Sequence, residues 1–162
     1  GEKLLTKEAR ELMLELLFPR ATLVTPNIYE AEVITEKEIA KWGQVKQAAK
    51  HILSLGPGAI VLKGGDFQER PACDLYLDSE VENSLESSYV FACRVHGSGC
   101  TFASAIAANL ALGMDLKQAV VSAKRYITRA IEYGLQIGEG KAVPGYFDNS
   151  NYSNIFWNEN KS

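Results

Sequence analysis

Cysteine is scarce in this chain: Cys73, Cys93 and Cys100 are the three among 162 residues. An odd set without Cys-x-x-Cys spacing builds neither a disulfide framework nor a zinc site, and free thiols suit a reducing cytoplasm. An excess of either charge is also missing. Lys and Arg number 17 against 20 Asp and Glu, a formal net charge of −3. That balance argues against nucleic acid or a membrane surface as partner. No apolar run approaches the roughly 20 residues of a membrane span. No charged-then-apolar leader is visible, so no secretory signal is expected. Internal repeats and low-complexity segments are absent. What remains, 46% hydrophobic and 23% charged residues, is the composition of an ordinary globular protein. The length fits a single domain over residues 1–162.

Periodicity supplies the elements. Thr6 to Phe18 reads as a helix, with Leu5, Ala9, Leu12, Leu16 and Leu17 on one face and Pro19 as its stop. Leu23-Val24-Thr25 is a short buried-strand candidate closed by Pro26. Thr35 with Glu38 resembles a capping box opening a short helical piece that ends near Gly43. Val45 to Leu55 forms a helix whose inner face is Val45, Ala48, Ala49, Ile52 and Leu55; Gly56-Pro57-Gly58 ends it. Ala59 to Leu62 is a continuous apolar strand of the parallel-sheet kind. Cys73–Leu77 and Ser87–Cys93 read as a hairpin around the polar turn Asp78–Asn83. A helix after Cys100 runs to Leu112 with Gly113 following, and Asp115 with Gln118 caps a second long helix. The inner face of that helix is Leu116, Ala119, Val120, Ala123, Ile127, Ala130 and Ile131. Residues 138–162 form an irregular tail with Tyr146, Phe147, Tyr152, Phe156 and Trp157 interleaved. The order of elements is an α/β pattern. Two parallel strands cannot cover their own faces and edges, so the chain reads as part of a larger sheet.

The most informative stretch is His96-Gly97-Ser98-Gly99-Cys100-Thr101, which opens the penultimate helix. Glycine allows a tight turn and close approach of a ligand to the backbone. The first N–H groups of a helix have no internal partner, and the dipole there is positive, so the stretch describes an anion site. Cys100 sits on its rim. A phosphate cradle with an adjacent acid/base group is what phosphoryl transfer requires. The plainer alternative is a tight turn followed by a buried helix-start cysteine.

Four segments in order resemble the ribokinase-like superfamily, and within it the hydroxymethylpyrimidine/phosphomethylpyrimidine kinase family of thiamine synthesis. They are Thr25-Pro26-Asn27-Ile28-Tyr29-Glu30-Ala31-Glu32, Val61-Leu62-Lys63-Gly64-Gly65, His96 to Thr101, and Ala119 to Ile131 with Ala123-Lys124. The similarity runs from Gly1 to about Ile137. It implies a three-layer α/β/α fold with a mostly parallel sheet, of which this chain is the C-terminal, nucleotide-binding half, the N-terminal half being missing. It implies an ATP- and Mg²⁺-dependent cytoplasmic kinase, usually a dimer, acting on hydroxymethylpyrimidine and its monophosphate. A pyridoxal kinase-like or hydroxyethylthiazole kinase-like enzyme is the neighbouring alternative. A non-catalytic nucleotide-binding fragment is the alternative from another class.

The resemblance also assigns roles. Cys100 is the catalytic base, taking the proton of the substrate hydroxymethyl group as it attacks the γ-phosphate. Gly97, Ser98 and Gly99 hold the transferring phosphoryl group. Asn27 lies at a strand's carboxyl end and binds the nucleotide side of the site; Glu30 holds Mg²⁺ through water. The plain alternative for this pair is an N-capping Asn and a first-turn Glu. Lys63 meets nucleotide phosphates as a point charge, against a reading as an exposed strand-end lysine. Thr101, Ala123 and Lys124 are candidates for the nucleotide pocket. His96 is equally a phosphate contact or a structural loop residue. Ala92-Cys93-Arg94-Val95 departs from the family's usual Thr-Lys-Asn-Thr-like stretch, which puts local nucleotide contacts there in question.

Overall fold

The computed structural model describes residues 5–89, 95–136, 138–140 and 142–145. They fall into two compact units, 1–89 and 90–162, each taken by itself below.

The first unit begins with α1 (Lys7–Leu12), capped by the Thr6 hydroxyl, which accepts from the Ala9 amide. The expected single helix to Phe18 does not persist. It widens into a π turn over Met13–Leu17 and then tightens to a 3₁₀ turn over Phe18–Arg20. Pro19 has no N–H to continue the ladder, and the change of pitch coincides with burial of Phe18. Four leucines of the stretch stay outside, Leu5, Leu12, Leu16 and Leu17 being 46–61% exposed, while Leu14 packs against the core.

α2 (Ile28–Thr35) and α3 (Trp42–Ser54) follow. The capping box expected at Thr35 and Glu38 is not formed. Thr35 instead closes α2, its hydroxyl donating to the Ala31 carbonyl, and Glu36 leaves the helix at φ 55°. α3 begins three residues earlier than its periodicity suggested. The Gln44 side-chain oxygen accepts from the Lys41 amide, fixing that start. Its expected inner face holds: Val45, Ala48, Ala49 and Ile52 are buried, and Leu55 packs beside them.

β1 (Ala59–Leu62), β2 (Asp74–Asp78) and β3 (Glu82–Leu85) form a three-stranded antiparallel sheet in that order. Register pairs Ile60 with Leu77 and Leu62 with Leu75. On its other side β1 meets residues 24–27 in parallel, through bridges Val24–Ile60 and Asn27–Lys63. The parallel component of the α/β fold in this unit therefore lies on one flank of β1, and the hairpin occupies the other. Ile52, Ile60, Leu62, Leu75 and Val45 are fully buried, each contributing about 1.5–3 kcal/mol. The hairpin exists as expected, but its second strand lies at 82–85 rather than 87–93. The Asp78 carboxylate accepts from the Glu80 and Val81 amides at 2.8 and 2.7 Å and closes the turn early. Residues 90–93 of the expected strand lie outside the described residues.

The second unit is a helix pair. α4 (Ser98–Ala111) ends at Leu112, with Gly113 at φ 88°; α5 (Leu116–Glu132) is capped by Asp115, which accepts from the Gln118 amide at 2.8 Å. Phe102, Ala105 and Ile106 of α4 and Ala119, Val120, Ala123, Ile127 and Ala130 of α5 are buried. The start of the tail packs as a strap: Val143 pairs with Leu135, and Ala142 pairs in parallel with Val95. Residues beyond 145, including the aromatic series, lie outside the described residues. No helix among the described residues is long and apolar enough to cross a membrane.

Candidate active site

In the second unit the site is the entrance to α4. The His96 amide donates to the Ala142 carbonyl at 2.8 Å, fixing the approach. Gly97 then turns the chain at φ 89° as the residue before α4, a conformation that an L side chain rarely adopts. The Gly97 carbonyl accepts twice from Thr101, from its amide at 2.9 Å and its hydroxyl at 3.0 Å. The first-turn amides of Ser98, Gly99 and Cys100 lie ahead of that first helical bond, and among the described residues no side chain caps them. Uncapped amides at the positive end of a fourteen-residue helix suit an anion. Gly97, Ser98 and Gly99 are half-buried, whereas Cys100 is an exposed free thiol. On α5, Ala123 is fully buried and Lys124 is half-buried beside it.

In the first unit the carboxyl ends of two parallel segments bring Asn27 and Lys63 side by side, and the Lys63 amide donates to the Pro26 carbonyl at 2.9 Å. Asn27 also caps α2. Its side-chain oxygen accepts from the Glu30 amide at 2.8 Å, and the Glu30 carboxylate accepts from the Asn27 amide at 2.7 Å. The plain capping reading is thus realised, and it is compatible with binding. The cap uses Glu30 Oε2 and leaves Oε1 on an exposed side chain. Among the described residues no cluster of three or more His, Cys, Asp or Glu could cage a metal. A lone carboxylate oxygen fits an ion held chiefly by water and phosphate, which is the habit of Mg²⁺.

Sequence reasoning missed Asp74. Its carboxylate is buried and accepts from the Gly64 amide at 2.9 Å. The available signal was a charged first residue on an otherwise apolar strand, Asp74-Leu75-Tyr76-Leu77. Gly64 itself presses on the hairpin: a Cβ there would lie 2.0 Å from the Cys73 carbonyl oxygen. The two described cysteines differ sharply. Burial pushes the Cys73 thiol above its ordinary range, outweighing the nearby Arg70 charge, and leaves Cys100 as the accessible sulfur.

The helices and sheet of the two units are those of a ribokinase-like α/β fold. Known structures agree. The chain superposes on pyridoxal kinase from Staphylococcus aureus in complex with AMP-PCP and pyridoxal with a TM-score of 0.83 at 32% identity, covering 88% of this chain and 54% of that one. It matches phosphomethylpyrimidine kinase from Clostridium difficile with a TM-score of 0.67 at 37% identity, covering 81% and 52%. Residues 1–144 match the family model described as phosphomethylpyrimidine kinase. The chain belongs to that family. A relative from Synechococcus elongatus, hydroxymethylpyrimidine/phosphomethylpyrimidine kinase, is 36% identical over 148 residues, 91% of this chain and 56% of the relative. The chain therefore spans about half the length of relatives such as this one.

Proposed function

We propose that this chain is the phosphate-handling half of a kinase that moves the γ-phosphoryl group of ATP onto hydroxymethylpyrimidine and onto its monophosphate. The observation that carries the proposal is the entrance to α4, where uncapped amides of Ser98, Gly99 and Cys100 adjoin an exposed thiol. Those amides hold the oxygens of the transferring group, whose charge they stabilise without reorganising. The Cys100 thiolate accepts the hydroxyl proton of the substrate. Lys63 supplies a point charge to the nucleotide phosphates, and Asn27 orders that strand end. Glu30 would hold Mg²⁺ through water, and the ion would supply charge neutralisation at the phosphates. Thr101 keeps the Gly97 turn closed, and Lys124 contributes a second positive charge from α5. Free thiols support a reducing cytoplasm. The exposed leucines around α1 support association with another polypeptide surface, read here as a homodimer.

A second reading has its own support. The pyridoxal kinase structure superposes with the higher TM-score, 0.83 against 0.67. Turnover with Mg²⁺ and ATP decides, measured as ADP release with the pyrimidine alcohol, its monophosphate and pyridoxal offered separately. The proposal expects the two pyrimidines to be preferred. It expects Cys100→Ala to lower kcat by about 10²-fold or more. An unchanged kcat in that variant rejects the base assignment. ATP binding without turnover on any alcohol replaces the enzyme reading with a non-catalytic nucleotide-binding one.

A further inference from the structure

Lys63 is fixed through the peptides on both of its sides. On the N-terminal side its amide donates to the Pro26 carbonyl at 2.9 Å. On the C-terminal side the next amide, that of Gly64, donates to Asp74 Oδ1 at 2.9 Å. The glycines beyond are tied as well: Phe67 donates to the Gly64 carbonyl and Ala72 to the Gly65 carbonyl, both at 2.8 Å. Of these acceptors only Asp74 is a side chain, and it is 5% exposed. A backbone amide bonded to a carboxylate is held more strongly than one bonded to a neutral carbonyl. The register that pairs Leu62 with Leu75 brings Asp74 alongside the chain just past Leu62. Gly64 can approach closely because it has no Cβ to meet the Cys73 carbonyl.

We infer that Asp74 is the positioning residue for Lys63: by clamping the Gly64 amide it fixes the strand end from which Lys63 reaches the nucleotide phosphates. The inference rests on the nucleotide reading of Lys63 given above. Asp74 acts by holding the peptide that follows the lysine, so that the ammonium group is pre-aimed rather than ordered on binding.

The test is a double-variant cycle on the full chain, read as Mg-ATP affinity by titration calorimetry and as hydrogen exchange of the Gly64 amide. Asp74→Ala is expected to weaken Mg-ATP by about tenfold or more and to speed Gly64 exchange by a similar factor. Lys63→Met is expected to weaken binding comparably, and the double variant no further than Lys63→Met alone. Asp74→Asn, which keeps an oxygen for the Gly64 amide, is expected to bind within about threefold of wild type. Wild-type affinity in Asp74→Ala overturns the inference, as do losses that multiply in the double variant. If Asp74→Ala does not fold, Asp74→Asn decides: a protected Gly64 amide with near-normal affinity supports the clamp, and a protected amide with a tenfold loss overturns it. A wild-type chain that binds no Mg-ATP fails differently, since it removes the nucleotide reading of Lys63 and this inference with it.

Discussion

Replacing Gly64 by alanine is the sharpest test of how the Lys63 turn is built. The added Cβ would sit 2.0 Å from the Cys73 carbonyl oxygen and 3.1 Å from its carbon. Both atoms are backbone, so no rotamer relieves the contact. Restoring a separation of 3.0 Å, below which real Cβ contacts are essentially never seen, moves the turn away from β2 by about 1 Å. Forced shifts of this kind cost about 1–3 kcal/mol. The same movement stretches the 2.9 Å bond from the Gly64 amide to Asp74. Losing a hydrogen bond to a charged group costs about 1.5–3 kcal/mol. The sum is about 2.5–6 kcal/mol, which at this chain length lowers Tm by about 5–24 °C. Gly65→Ala is the control. Gly65 has φ 51° with nothing within 4 Å of its missing Cβ, so backbone strain of about 1–2 kcal/mol is its whole cost. Urea unfolding, followed by circular dichroism and by tryptophan fluorescence, measures both variants. Equal destabilisation of the two would refute the argument that contact with the Cys73 carbonyl, rather than backbone freedom, demands glycine at position 64.

Three further outcomes follow from the same structure. Brief treatment with iodoacetamide should label Cys100 at least tenfold faster than Cys73, since one is exposed and the other buried with its ionisation suppressed; peptide mass spectrometry reads the ratio, and equal labelling contradicts the burial. Glu82 joins β3 to Lys46 and Lys50 on α3, and its hydrogen bond from Lys46 lowers its pKa below the ordinary 4.5. Its stabilisation is present above about pH 4.5 and is lost as pH falls through the lowered folded value. Glu82→Gln should flatten that acid limb and lower Tm at neutral pH by no more than about 2–4 °C, and an unchanged acid limb in the variant removes Glu82 from it. Leu12→Lys with Leu16→Lys should reduce self-association in light scattering without lowering Tm, because both side chains are exposed; association unchanged in the pair would acquit that face.

Much of the second unit was legible because its signals are local. Asp115 and Gln118 cap α5 as their spacing dictates, and the 3.6-residue period places Ala119, Val120, Ala123, Ile127 and Ala130 inside. The run of small residues marked α4 in the same way, although the helix begins at Ser98, behind the Gly97 turn, rather than after Cys100. The first unit was harder, because pairing partners rather than composition decide there. Glu82-Asn83-Ser84-Leu85 has little strand character, yet it pairs with β2 because Asp78 shortens the turn. Thr35 carries a start-type hydroxyl but stands at the end of α2, where it bonds backwards to Ala31. The helix that Asn27 opens was visible only as the plain alternative to a binding role, and that capping use is the one the structure displays. Asp74 escaped because nothing in a linear pattern says that a carboxylate will accept from a glycine ten residues earlier.

The parallel bridge between Val95 and Ala142 bears on when the loop ahead of α4 takes its shape. The post to which His96 is tied is made only after both helices that follow it. During synthesis, a nascent chain would carry α4 and α5 in full before the doorway in front of them could be set. Any cleavage between α5 and residue 142 would leave two sound helices and an unmoored threshold.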